Sequence, residues 1–141
     1  MRQADFDSIH NLVPGKHYYQ FYKAAEDYFK IMLPFFFTGL QKGESCLWLV
    51  SEKMGVPKAR LQAQAFIPDY LSYIASGQFR ILSAENWYLT EGVFEEEKAL
   101  KNAAAFMTNS QSQGYITIRG AGDAGVIPRT SWQQFKNYER K

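Results

Sequence analysis

The segment Cys46-Leu-Trp-Leu-Val50 sets the tightest limit on how this chain can fold. Every residue in it is apolar, Gly43, Glu44 and Ser45 lie just before it, and Ser51 follows it. A run this short cannot cross a bilayer, which takes about 20 apolar residues in a helix. Unbroken hydrophobicity over strand length instead marks a strand covered on both faces, as in parallel sheets. Parallel strands need crossover helices between them, and the flanking sequence supplies them. His17–Tyr22, Phe79–Leu82 and Tyr115–Arg119 read as further strands. From Ala24 to Gln41, apolar residues recur as Tyr28, Met32, Phe36 and Leu40, one face of a helix that Pro34 is expected to kink or split. Lys58–Phe66, after Pro57, and Pro68–Ser76, ended by Gly77, give shorter helices; Val93–Ser112 gives a long one, and Ser131 caps a last helix through Lys141. Asn86–Gly92 and Gly120–Thr130 read as loops. The alternation predicts an α/β fold with a mostly parallel central sheet flanked by helices.

A length of 141 residues suits one domain with one core. Residues 1–14 form an N-terminal lead-in closed by the Pro14-Gly15 turn signal, and residues 15–141 form one domain whose last helix is expected to lead into a further domain. The 16 Lys+Arg and 14 Asp+Glu give a net charge of +2 with no block of either sign, so the basic stripe of a nucleic-acid binder is missing and no direct contact with nucleic acid is expected. Met1–Asp7 lacks the apolar centre of a signal peptide, and Ile31–Phe37, the longest apolar run, is interrupted by Pro34. A cytoplasmic location without membrane insertion follows as the expectation. A single cysteine, Cys46, excludes an internal disulfide. Cys46, His17 and the lead-in residue His10 do not amount to a typical zinc ligand set, so neither metal nor cofactor is expected.

The helix ending in Gly39-Leu-Gln-Lys-Gly-Glu44 before a buried strand resembles the core of RecA/KaiC-type ATPases. A phosphate loop would need G-x-x-x-x-G-K-[ST] between the first strand and its helix. That junction reads Phe21-Tyr-Lys-Ala-Ala-Glu-Asp27, without a glycine, and Arg119 occupies the expected place of a magnesium-binding carboxylate. ATP hydrolysis is not expected. The Gly120–Gly125 stretch lacks the spacing of a dinucleotide loop and reads as a turn. Cys46 starts a buried strand, whereas reactive thiolates favour helix N-termini or cationic surroundings, so no catalytic residue is assigned. In open α/β sheets ligands settle beyond the carboxyl ends of the strands. Tyr22, Val50, Leu82 and Arg119 are read as those ends, with Trp87, Tyr88 and the 120–125 loop crowding the same rim. An aromatic share of 16% makes an aromatic pocket with one arginine plausible, suited to a small organic ligand.

The ordered set of these pieces resembles the MEDS family, the methanogen/methylotroph sensory domains related to the dichloromethane-responsive regulator DcmR. The resemblance is carried by Gly15-Lys-His17 with Tyr22, Leu33-Pro-Phe35, Gly39 to Cys46 as G-L-x-x-G-E-x-C, Gly77-Gln-Phe79, Ile118-Arg119-Gly120, and a last segment holding Trp132 and Tyr138-Glu139. It implies a RecA-like three-layer sandwich that lacks the nucleotide-binding loop. It also implies a sensory role for simple hydrocarbon derivatives, ahead of a histidine kinase or a DNA-binding regulator in the same longer chain. His17 and Cys46 match the family pattern and become ligand-contacting candidates with Arg119; Tyr22, Trp87, Tyr88 and Asp123 complete the expected pocket. Asp123 is a departure, since the family often carries R-x-x-G-E where this chain reads Arg119-Gly-Ala-Gly-Asp123. The alternatives are a thiol-dependent enzyme using Cys46 and His17, and a degenerate nucleotide-binding or dimerising module; sensor modules often pair, so a homodimer fits the expectation.

Overall fold

A computed structural model describes residues 25–122 and Val126. The expected first strand with His17 and Tyr22, the residue Asp123 and the last helix lie outside the described residues.

The first helix, α1, spans Ala25–Gln41 and is unbroken at Pro34. Proline inside a helix costs about 3 kcal/mol or more. Against that, Tyr28, Phe29, Ile31, Met32, Leu33, Phe35, Phe36 and Leu40 are all buried. Each such burial contributes roughly 1.5–3 kcal/mol, so packing overrides the local break that the sequence suggested.

The chain then forms β1 (Ser45–Val50), α2 (Val56–Phe66) and α3 (Tyr70–Ser76), which stops at Gly77 in the left-handed conformation. β2 (Phe79–Ser83) follows. Asn86–Gly92 is not a loop. It contains the end of α4 (Ala84–Tyr88), capped where Ser83 Oγ accepts from Asn86 N, and the first strand and turn of a hairpin of β3 (Leu89–Thr90) and β4 (Val93–Phe94). The two turn residues, Glu91 and Gly92, have φ of 51° and 79°. That sign at both positions is what a two-residue type I′ turn requires. The long helix α5 therefore begins at Glu96 rather than Val93 and runs to Ser112.

β1, β2 and β5 (Ile118–Gly122) form a parallel sheet in the order β2-β1-β5, which puts the unbroken apolar strand in the centre. Cys46, Trp48 and Val50 point into a core shared with α1, α2 and α3. Leu47 and Leu49 point into a second core with α4, α5 and Phe94. The result is a three-layer α/β fold, and the double coverage explains why β1 shows no polar alternation. At its centre Trp48 is fully buried, stacks on Phe79 and donates from Nε1 to Tyr28 Oη at 2.7 Å. Among the described residues no helix is long and apolar enough to cross a membrane.

Candidate functional site

The segment Gly39–Cys46 builds a buried corner, and each of its signature residues has a separate physical task. Gly43 takes φ of 77° and ends α1, with Glu44 N donating to Gly39 O (3.0 Å) and Gly43 N to Leu40 O (3.1 Å). This is the Schellman pattern, which needs a residue free to adopt positive φ. Gln78 Nε2 then donates to the Leu40 and Glu44 carbonyls, both at 3.1 Å. The turn delivers the Glu44 carboxylate into the interior, where Oε1 accepts from Arg119 Nε at 2.7 Å. The two side chains are 5% and 2% exposed, so the pair is shielded from water. Arg119 Nη1 also donates to Phe35 O at 3.0 Å, and the guanidinium lies 4.8 Å from the Phe35 ring centre.

Cys46 lies beside Arg119 in the sheet, their Cα atoms being register partners, and its thiol is fully buried, 3.6 Å from the Glu44 carbonyl oxygen. Gly39 lets α1 lie directly over both. A methyl group there would stand 2.7 Å from Arg119 Cδ and 2.9 Å from Cys46 Sγ. Burial pushes the Cys46 thiol well above its ordinary pKa; the nearby Arg119 charge opposes this, and Glu44 adds to it. Such a thiol stays protonated and is a poor nucleophile or metal ligand. Arg119 Nη2 in this corner is buried and has no hydrogen-bond partner among the described residues. Leaving a buried charged donor bare costs roughly 1–3 kcal/mol or more. Bare donors of this kind in native proteins call for an explanation such as a water, an ion or a functional task.

Arg119 is the second residue of β5, which runs on to Gly122; it does not end the strand. Cys46 is likewise the second residue of β1. Both therefore sit at the amino edge of the parallel sheet, opposite the carboxyl rim where the sequence suggested a pocket. The expected strand slipped because Gly114, at φ of 93°, turns the chain and Tyr115 N bonds Ser110 O. That keeps residues 115–117 off the strand and leaves Ile116 98% exposed.

Trp87 and Tyr88 lie on the other face, in the core beneath α5. Tyr88 reaches the end of β5, since a methyl group on Gly122 would meet its Oη at 2.9 Å. Trp87 helps line an open cleft of about 600 Å³ between β2, α4 and α5. The guanidinium at this cleft belongs to Arg80, which the sequence reading did not single out. Among the described residues no cluster of His, Cys, Asp and Glu could hold a metal ion.

A family model described as the methanogen/methylotroph, DcmR sensory domain (MEDS) matches residues 16–141. The chain belongs to the MEDS family. No curated protein and no solved structure matches it. Within this MEDS domain the corner gives the G-L-x-x-G-E-x-C pattern a structural meaning: close approach at Gly39, core contact at Leu40, helix stop at Gly43, ion pair at Glu44 and buried thiol at Cys46. Glu44 is the functional candidate that sequence reasoning missed. Its place within the motif was visible, but its partner lies 75 residues away.

Proposed function

We propose that this MEDS domain is the ligand-sensing input module of a signal-transduction or transcription-regulatory protein. The ligand is a simple hydrocarbon derivative carrying a hydrogen-bond acceptor, seated at Arg119 Nη2 beside Cys46, with His17 and Tyr22 contributing from the N-terminal segment. The observation that carries this reading is the buried Nη2, which no group among the described residues satisfies. Membership in a sensory family supports the input role. An acceptor placed at Nη2 removes the cost of an unsatisfied donor, and a small uncharged oxygen- or halogen-bearing group does so without adding a second buried charge. The output partner is a histidine kinase or a DNA-binding regulator joined to the same chain. Because the seat ties α1 to β5, occupancy shifts the relative populations of their arrangements.

The competing reading, a thiol enzyme using Cys46, is disfavoured by the burial that holds the thiol protonated. The test is a thermal-shift screen with one- to three-carbon alcohols, amines, halides and carboxylates, together with ATP–magnesium and zinc. Saturating one organic class at 100 times its Kd adds about 2.7 kcal/mol and raises Tm by several degrees. The rise is expected to vanish in the Glu44→Leu/Arg119→Met double variant. A rise with ATP–magnesium and none with the organics would overturn the proposal in favour of a retained nucleotide function.

A further inference from the structure

The cleft on the opposite face is built unlike the Arg119 corner. Its floor is apolar, from Leu82, Trp87 and Phe106. Its polar groups are Arg80, Ser83, Asn86, Asn102 and Asn109, and among the described residues no acidic side chain lines it. The alternation of β2 explains the first of these: Phe79 and Ile81 enter the core under α1, which turns Arg80 and Leu82 to the α5 side. On α5, Asn102 and Asn109 are seven residues apart and share a face with Phe106. Asn102 Nδ2 is held by the Trp87 carbonyl at 3.1 Å, and Ser83 Oγ is held by the α4 cap. Two of the polar groups are thus fixed, and the floor that carries Trp87 is tied to α5. A volume of about 600 Å³ lies within the usual range for small-molecule sites, roughly 300–1,000 Å³.

We infer that this cleft is a second ligand site, separate from the Arg119 seat, and that it takes a small carboxylate with an aromatic or alkyl body. The body covers Trp87, Leu82 and Phe106. The carboxylate accepts from the Arg80 guanidinium, whose planar fork suits two-point recognition. The asparagines add neutral donors, and with no acid among the described lining residues the positive potential of Arg80 is uncompensated by them.

Calorimetric titration of the whole chain with phenylacetate and with its neutral isostere phenylacetamide tests the assignment. Saturable binding of phenylacetate about tenfold tighter than the amide is expected, the usual difference for one charge-assisted contact. Arg80→Gln should abolish that preference while retaining weak binding of both compounds. Ala105→Trp fills the cleft from an exposed position on α5 and should remove binding of both with an unchanged circular dichroism spectrum; if that variant fails to fold, Asn109→Trp on the same wall replaces it. Binding should persist in the Glu44→Leu/Arg119→Met double variant. No saturation at millimolar phenylacetate, equal affinity for acid and amide, binding that survives a filled cleft, or binding lost with Arg119 instead would each overturn the inference.

Discussion

A methyl group at Gly39 would collide with Arg119 Cδ and Nε at 2.7 and 2.8 Å, atoms pinned by Glu44 and the Phe35 carbonyl. In a free helix Gly→Ala gains about 1 kcal/mol, while overpacking a core costs about 1–3 kcal/mol. Because the guanidinium cannot give way without breaking its bonds, the clash wins. Gly39→Ala is expected to lose roughly 1–2 kcal/mol net, read as a lower urea midpoint at unchanged slope. Glu44 obeys a different rule. Removing one member of a buried pair strands the other charge and costs about 3–5 kcal/mol, while replacing both with apolar groups is often neutral. Glu44→Ala should therefore be severely destabilising, and Glu44→Leu/Arg119→Met should recover most of the loss in the same melts. Cys46 gives a pH dependence. Its folded pKa is raised above its unfolded value near 9, so the folded state holds the proton more tightly. The stability this contributes is fully present below pH 9 and falls as pH rises above it, by up to about 1.4 kcal/mol per pH unit. Burial also raises the Tyr70 phenol, opposed by Arg60, so the measurement belongs below pH 10, where that group is still protonated in the unfolded chain. Between pH 8.5 and 9.5, denaturation midpoints should decline in the parent, and Cys46→Ala should flatten the decline.

At the scale of elements, the β3–β4 hairpin carries a local strain that can be relieved. Glu91 sits at φ of 51° on an exposed turn. A left-handed non-glycine residue costs about 1–2 kcal/mol, and asparagine reduces the penalty by bonding its own backbone. Glu91→Asn is expected to raise stability by about 0.5–1 kcal/mol, seen as a small increase in Tm. This hairpin was missed in the sequence because Glu-Gly is not among the usual turn pairs and each strand holds only two residues. What was legible were elements with a strong period or unbroken apolarity: α1, β1, the helix after Pro57 and the body of α5. They stand out because burial on one stripe or on two faces leaves a one-dimensional trace. β5 left a misleading trace. Tyr115-Ile-Thr-Ile has strand-forming residues, yet the ladder runs through Ile118-Arg-Gly-Ala-Gly122, a sequence of low strand propensity held by pairing with β1. The site suffered from the same cause. Gly39, Gly43, Glu44 and Cys46 could be seen to belong together, but strand register decides which distant side chain meets Glu44. Moving the end of β5 from Arg119 to Gly122 carried the arginine from the carboxyl to the amino edge.

In the whole molecule, β1 separates two packed faces. On one, Arg119 joins the start of β5 to α1 through Phe35 and to the turn after α1 through Glu44. On the other, β2, α4 and α5 enclose the cleft. Under the proposed function, a signal from Arg119 has a defined first step, because that side chain bridges α1 and the strand that follows α5. Filling Nη2 should stiffen this bridge and leave the hairpin, a layer away, unaffected. Amide hydrogen exchange of the free chain is expected to be slowest in β1, which is paired on both sides and buried throughout. With a seated ligand, residues 35–46 and 118–122 should slow further while residues 89–94 stay unchanged; a tenfold slowing corresponds to about 1.4 kcal/mol. Slowing confined to residues 80–87 and 102–109 would instead trace occupancy to the cleft. Were that pattern to appear with the one- to three-carbon ligands, the Arg119 corner would be a structural clasp, and sensing would lie on the opposite face.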